Sequence, residues 1–340
     1  MIRTLKNILQ RIKRNFQFWR EVVFAENTFG ISLFARLRAL LMGGFTPDQY
    51  VLFDLKNNDP KDYISQLEAI KTRAVNSPFK QIINNSIVCN KAFGHYLRVQ
   101  KIYGRIDGEG RLISNSKELR QRSDLSKLLD THGALTFKKP RGRRQHSVMK
   151  KDNTFVFEDG RNFSDWEWTN YLRNWHIAEY ISPPSYLSMS DFQEGQLPTI
   201  KIIALRDTDS KSWKIAFALH NIPHFDGTLI SKVDLDTGVL SDALYDMTNV
   251  KHSSHPKFSS PIEGVAIPNW HNIKKEILAA SANFHFLYYL VYTVMVTEDG
   301  LVVVDVKAST ELTSVQIWGG QSKKELGRFF KAHGLLKARE

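Results

Sequence analysis

Cysteine is nearly absent from this sequence, in which Cys89 is the only one among 340 residues. A single thiol excludes an intramolecular disulfide and any metal site that needs several thiolate ligands. Disulfides are typical of oxidising compartments, so their exclusion fits a reducing environment. We therefore expect a cytoplasmic protein, and peripheral attachment at the inner face of the membrane stays open.

Long apolar runs are missing as well. No stretch reaches the roughly 18 uncharged residues that a membrane-spanning helix requires. The longest candidate, residues 284–296, is shorter and is rich in β-branched and aromatic residues, so we predict a strand of the core there. The sequence predicts no membrane span.

Acidic residues are missing from the first 20 positions. Six basic residues precede Glu21, namely Arg3, Lys6, Arg11, Lys13, Arg14 and Arg20. They interrupt any apolar core that a signal peptide would need, so we expect no secretion signal. Apolar residues recur there at helical spacing, at Ile2, Leu5, Ile8, Leu9, Ile12, Phe16 and Trp19. The pattern favours two interpretations of residues 1–20, a helix on an anionic membrane surface and a surface helix packed on its own domain.

The overall charge is strongly basic. Lysine and arginine total 47 against 35 acidic residues, which gives a formal net charge of +12. Such a surplus favours an anionic partner, whether a nucleotide, nucleic acid, an acidic glycan or a phospholipid surface. Nucleic acid is the least favoured partner, because the aromatic residues are not interleaved with the basic ones in an RNA-binding pattern.

The chain has enough apolar material for a packed core, since 42% of its residues are hydrophobic. Up to about residue 80 the pattern is helical, with boundaries such as Thr46-Pro47-Asp48. Beyond it, short β-branched or aromatic runs alternate with helical stretches. Strands are predicted at residues 134–137, 154–157, 176–181, 199–205, 214–219, 287–296 and 301–306. The sequence therefore predicts an α+β protein with a helical region (1–80), a main domain (81–325) and a basic C-terminal tail (326–340).

Asp305 and Lys307 stand two positions apart in the last predicted strand, whose other residues are mostly apolar. Two-residue spacing puts both side chains on the same face of a strand. From these residues alone, two interpretations stay open. The pair is either a self-neutralised strand end or part of a functional site.

A series of short motifs runs through the main domain. They are Asn90-Lys91, Phe137-Lys138-Lys139-Pro140, Ile177-Ala178-Glu179-Tyr180-Ile181, Pro198-Thr199-Ile200-Lys201, Val233-Asp234-Leu235-Asp236-Thr237-Gly238, His255-Pro256, Pro261-Ile262-Glu263-Gly264 and Ile267-Pro268-Asn269-Trp270. In order and spacing they resemble the ATP-grasp family, specifically its branch associated with sugar transfer and surface-polysaccharide synthesis. The resemblance implies an ATP-grasp fold, in which two α+β subdomains with a hinge near residue 180 grip ATP in a cleft.

The resemblance also implies a function. A family member of this kind is an ATP-dependent ligase that joins a carboxylate to an amine or other acceptor, here on a sugar- or glycan-linked substrate. Basic side chains and Mg²⁺ neutralise the charge of the transferred phosphoryl group in such a reaction. Lys201, Asp305 and Lys307 are the implied catalytic residues, and Asp305 is the implied ligand of Mg²⁺.

The implied nucleotide contacts lie in the preceding motifs. Lys139, together with Arg141 and Arg143 of the following loop, is expected to bind phosphates. Glu179 is expected beside the adenine, and Lys201 is expected near the γ-phosphate.

Two of three metal-ligand positions depart from the family pattern, because Thr293 and Lys307 stand where the family has an acid and an asparagine. A protonated lysine cannot ligate Mg²⁺. Only one glycine, Gly142, remains in the loop where relatives have a glycine-rich flap. The alternative function is therefore a non-catalytic ATP-grasp protein that binds nucleotide or another anion as a scaffold or regulator. The need for Mg²⁺ stays open.

Overall fold

The computed structural model describes residues 16–140, 145–151, 154–182, 184–187, 197–224, 227–245 and 250–337. Its N-terminal part is helical, and two antiparallel β-sheets follow. The N-terminal helices are α1 (Leu33–Leu41), α2 (Pro47–Leu52), α3 (Gln66–Thr72), α4 (Lys80–Ile83) and α5 (Ser86–Phe93), with a π-helical turn at Trp19–Val23 and a 3₁₀ turn at Pro60–Asp62. Most of residues 1–20, which the sequence predicts to be amphipathic, lie outside the described residues.

Local chemistry explains where the helices begin. Thr46 caps α2, because its hydroxyl accepts a hydrogen bond from the backbone N–H of Gln49, and Pro47 occupies the first helical position. Ser65 caps α3 in the same way through Glu68. The predicted boundary at Thr46-Pro47 is therefore confirmed.

The first sheet has six antiparallel strands in the order β2-β1-β6-β3-β4-β5. The strands are β1 (Ile102–Ile106), β2 (Leu112–Ser114), β3 (Ala134–Lys138), β4 (Gln145–Lys151), β5 (Thr154–Phe157) and β6 (His176–Glu179). Helix α6 (Asp124–His132) and a π-helical turn at Glu167–Tyr171 pack on this sheet. Their shared core contains the buried side chains of Phe137, Trp168 and Trp175.

The second sheet has seven strands in the order β11-β10-β9-β8-β7-β12-β13. The strands are β7 (Thr199–Arg206), β8 (Trp213–His224), β9 (Gly227–Val233), β10 (Leu240–Tyr245), β11 (Lys251–His252), β12 (Tyr289–Thr297) and β13 (Gly300–Lys307). Helices α7 (Trp270–Ala282) and α5 cover one face. Helices α8 (Thr313–Gln316) and α9 (Glu325–Ala332) cover part of the other.

The predicted α+β class is confirmed, but several predicted details differ. The sequence analysis did not predict six of the strands, namely β1, β2, β4, β9, β10 and β11. Strand β4 carries Gln, His, Ser and Lys side chains, so it lacks the apolar run that the prediction relied on. The strand expected within residues 284–296 begins only at Tyr289. The expected C-terminal tail includes α9, in which Leu326, Phe329 and Phe330 are buried.

Asn76 joins the helical region to the second sheet. Its side chain is 1% exposed, accepts hydrogen bonds from the backbone N–H groups of Tyr288 and Tyr289, and donates to the carbonyls of Tyr289 and Ala308. Buried backbone groups that lose their partners destabilise a fold strongly. We therefore predict that Asn76 stabilises the packing of the helical region on the second sheet.

We expect the Asn76→Ala variant to lose about 2–4 kcal/mol of unfolding free energy, because several buried groups lose their partners at once. Urea denaturation measures this loss. Asn283→Ala is the matched control, since the exposed Asn283 amide makes only helix-terminal contacts such as that to Ala279. Equal stability of the two variants would contradict the anchoring role.

Candidate functional site

A cavity of about 500 Å³ lies between the two sheets. The first sheet contributes Lys138 and the adjoining Lys139 to its lining, and the second contributes Lys201, Thr293 and Asp305. Beside the cavity, α8 and α9 pack on apolar residues of the second sheet. The cavity therefore occupies the part of the intersheet space that these helices leave open.

Three polar side chains form a row across the floor of this cavity. Lys201 on β7 pairs in register with Thr293 on β12, and Thr293 pairs with Asp305 on β13. Residues paired across neighbouring strands project from the same face of a sheet. Next to this row, the Lys307 Nζ lies 3.3 Å from the Asp305 Oδ2.

A β-bulge decides which face Asp305 and Lys307 occupy. Thr293 pairs with Asp305 whereas Val294 pairs with Val303, so Val304 has no opposite residue on β12. The extra residue reverses the alternation of faces along β13. Val303, which precedes the bulge, faces the core under α7, and Val306, which follows the bulge, faces the same core. Asp305 and Lys307 consequently face the cavity.

Lys138 was not predicted as a site residue, yet it connects the two sheets at the cavity wall. Its Nζ donates to the Val304 carbonyl at 3.0 Å and to the Gln100 side-chain carbonyl. Burial lowers the pKa of the Lys138 ammonium to about 8; the negative charge of Asp305 raises it, and the positive charge of Lys307 lowers it further. The Lys138 ammonium therefore loses its proton near pH 8, well below the ordinary lysine pKa of 10.5.

Gln100 lies between α5 and β1 and contacts both sheets. Its backbone N–H donates to Val303 on β13, and its side-chain amide donates to the Glu179 carbonyl at the end of β6. Its own carbonyl accepts from the Asn90 side chain. Gln100 therefore joins β13 of the second sheet to β6 of the first, and its side-chain carbonyl accepts a hydrogen bond from Lys138. No local pattern marks this glutamine, because its contacts come from distant segments.

The expected nucleotide contacts are only partly brought together. Lys139 lines the cavity, and its Nζ lies 5.6 Å from the centre of the Trp175 ring. Arg141 and Arg143 lie outside the described residues. Glu179 is not among the residues that line the cavity, and its expected place beside the adenine stays a prediction. Its carboxylate instead faces Arg98 at 3.5 Å and accepts a hydrogen bond from the backbone N–H of Lys101 at 3.2 Å.

The described lining of the cavity is rich in positive charge. Its five cationic residues are Arg73, Lys138, Lys139, Lys201 and Lys307, and its two acidic residues are Asp305 and Glu311. Burial lowers the pKa of His176, which also lines the cavity, to about 4, so its imidazole is neutral at pH 7. The excess of cations favours a ligand with several negative charges.

The donor set fits Mg²⁺ poorly. Mg²⁺ requires hard oxygen ligands in octahedral geometry, but Asp305 already contacts the Lys307 ammonium and Thr293 offers only a neutral hydroxyl. Across the described ranges, no group of three or more His, Cys, Asp or Glu side chains could hold a metal ion. The cation that contacts Asp305 in the described structure is the Lys307 ammonium.

Comparison with known proteins finds a family model that matches part of the chain. Residues 177–329 match the family model described as sugar-transfer associated ATP-grasp. The resemblance predicted from the sequence motifs is confirmed over that segment. None of the curated proteins matches the chain in sequence.

Solved structures show remote similarity only. They include N5-carboxyaminoimidazole ribonucleotide synthetase from Thermus thermophilus, with 12% identity, a TM-score of 0.42 and coverage of 81% of this chain and 62% of that chain. The Aspergillus clavatus N5-carboxyaminoimidazole synthase in complex with ADP and 5-aminoimidazole ribonucleotide has 10% identity, a TM-score of 0.38 and coverage of 68% and 46%. D-alanine–D-alanine ligase from Bacillus anthracis, complexed with ATP, has 13% identity, a TM-score of 0.34 and coverage of 74% and 60%. The matches thus span less than two thirds of each of these proteins.

Proposed function

We propose that this chain binds ATP in its intersheet cavity, with lysine in place of magnesium. Residues 177–329 match the sugar-transfer associated ATP-grasp family. In this proposal the chain acts as a scaffold or regulator for enzymes of surface-polysaccharide synthesis. The family description supports the sugar-related setting, and the charge of the cavity supports the nucleotide.

The position of Lys307 is the observation that carries the proposal. Its ammonium lies 3.3 Å from Asp305, in the row that also contains Thr293 and Lys201. A lysine supplies one positive charge without coordinated water, so it offsets phosphate charge. It cannot bridge two phosphate oxygens in the octahedral manner of Mg²⁺. Binding of nucleotide is therefore supported better than phosphoryl transfer.

Each cationic side chain has a role in this proposal. Lys139 and Lys138 come from the first sheet and would meet the phosphates on one side, while Lys201 and Lys307 come from the second and would meet them on the other. Charge-assisted hydrogen bonds of this kind are stronger than neutral ones. A polyphosphate would thus draw the two sheets together.

A ligase that joins a carboxylate to an amine or other acceptor on a sugar- or glycan-linked substrate is the second candidate. Lys139, Lys201 and Asp305 favour it, because all three line one cavity. Asp305 would then have to hold Mg²⁺ through the phosphates of the nucleotide. The two candidates differ in their dependence on magnesium.

Calorimetric titration with ATP, in EDTA and in excess Mg²⁺, tests the proposal. We expect the two dissociation constants of the unmodified protein to agree within about threefold, which corresponds to less than 1 kcal/mol. We also expect adenosine to bind much more weakly than ATP, because it lacks the phosphates. Binding that requires Mg²⁺, with turnover of about 1 s⁻¹ or faster, would establish the ligase instead. No ATP binding in either solution would contradict both candidates.

A further inference from the structure

Helix α1 turns an apolar face away from the protein. The side chains of Leu33, Phe34, Leu37 and Leu41, here called the α1 outer face, are 81%, 77%, 52% and 77% exposed. Together with Arg38 and Met42, Phe34, Leu37 and Leu41 line a shallow groove of about 300 Å³. Exposed apolar side chains that cluster in this way mark an interaction surface.

The opposite side of α1 explains why the helix holds this orientation. Ala39 is fully buried, and Ala35 and Met42 pack with it on the core around Phe45 and Tyr50. Ser32 caps the helix by accepting from the backbone N–H of Ala35. The helix is therefore anchored through its inner side, and the outer face is not needed for the packing of the described core.

Positive charge accompanies the outer face. Arg38 is exposed and Arg36 is half-buried on the same helix, and Arg20 precedes them. The first 42 residues contain eight basic residues and two acidic ones. Glu21, one of the two acids, is paired with both Arg20 at 2.8 Å and Arg73 at 2.7 Å. The surface around α1 thus combines apolar side chains with an excess of cations.

This charge decides between possible occupants of the face. Residues 1–15 carry five basic residues and no acid, so covering the face with that segment would bring like charges together. A second copy of the chain would meet the same repulsion. Nucleic acid is anionic, but it stacks on aromatic rings, whereas three of the four outer-face residues are leucines. Only a partner surface that is both apolar and anionic matches the exposed apolar side chains and the excess of cations around α1.

We infer that the α1 outer face docks onto an anionic phospholipid bilayer. Leucine and phenylalanine would enter the acyl boundary while Arg36 and Arg38 contact lipid phosphates, as in helices that lie in the membrane interface. Phe16, Trp19 and Phe24 in the preceding segment are also more than half exposed, and tryptophan is enriched at such interfaces. Throughout the described residues, no helix is long and apolar enough to cross a membrane. Attachment would therefore be peripheral.

Sedimentation of the full chain with vesicles tests the inference. The vesicles are an equimolar mixture of phosphatidylglycerol and phosphatidylcholine, or phosphatidylcholine alone. We expect binding to the mixed vesicles only. The vesicle affinity of the variant Phe34→Gln/Leu41→Gln should fall at least about tenfold, because two apolar side chains are no longer transferred from water into the bilayer. Arg36→Gln/Arg38→Gln should weaken binding by about fivefold per arginine at low salt.

The control variant is Trp166→Gln/Val250→Gln, which removes two exposed apolar side chains elsewhere on the protein. It should bind the vesicles as the unmodified protein does. Equal loss in both variants, or equal binding to both vesicle types, overturns the inference. Light scattering without lipid tests whether a second copy of the chain covers the α1 outer face. A dimer that becomes a monomer in the variant Phe34→Gln/Leu41→Gln would also overturn the inference.

Discussion

The variant Lys307→Asn/Thr293→Asp is expected to bind ATP at least about tenfold more tightly with magnesium than without it, a difference of about 1.4 kcal/mol or more. The two changes remove the ammonium beside Asp305 and add a carboxylate on the neighbouring strand, directly opposite Asp305. The new carboxylate, the new amide and Asp305 would together provide the hard oxygen ligands that Mg²⁺ prefers. Without magnesium, the same variant should bind ATP more weakly than the unmodified protein does.

Calorimetry in EDTA and in excess Mg²⁺ measures this effect. The control is Lys151→Asn/Thr154→Asp, which makes the same chemical changes on β4 and β5, where Lys151 and Thr154 are paired and exposed. This control should keep the weak magnesium dependence of the unmodified protein. If the cavity variant also stays independent of magnesium, Lys307 does not occupy the position of the metal.

Binding of ATP at pH 8.5 is expected to take up roughly 0.7 proton per nucleotide through Lys138. In the free protein the pKa of Lys138 is lowered to about 8, because the side chain is buried, so most of it is neutral at that pH. Phosphate oxygens in the cavity would raise this pKa and make the ammonium form predominate. Uptake should vanish in Lys138→Met, and affinity should fall about ten- to hundredfold as a charge-assisted hydrogen bond is lost.

Titrations in two buffers of different ionisation enthalpy give the number of protons taken up. Lys138→Arg is the control, since an arginine keeps the positive charge but does not titrate. It should bind ATP without proton uptake. Unchanged uptake in Lys138→Met would falsify the assignment, because another group would then be responsible.

The same pKa predicts the direction of a stability change in the free protein. The unfolded chain keeps the Lys138 proton up to its ordinary pKa of 10.5, whereas the folded chain releases it near 8. Between these values the unfolded state binds more protons, so the contribution of Lys138 makes the unfolding free energy rise with pH. Comparison with Lys138→Met isolates this contribution from those of the other titratable groups.

Several features of the site could be predicted because they depend on short stretches of sequence. The motif around Lys139 was identified by its resemblance to a family motif and the strand that carries Asp305 by its apolar run, and both lie at the cavity. Lys138 and Gln100 could not be identified in this way. Each matters because a strand more than 150 positions away supplies its partner, and no local periodicity records that contact. The division of the chain at about residues 80 and 325 stays a prediction.

The sequence by itself determined the single thiol, the excess of positive charge, the α+β class and the presence of Asp305 and Lys307 on a common face of one strand. Only the tertiary structure decided which face that is. The bulge at Val304 turns the pair toward the cavity, while Val303 and Val306 on either side of it face the core under α7. The tertiary structure likewise places the Glu179 carboxylate beside Arg98, and Glu179 is not among the residues that line the cavity. Alternation along a strand is a local property of the backbone, whereas register depends on the partners that surround it.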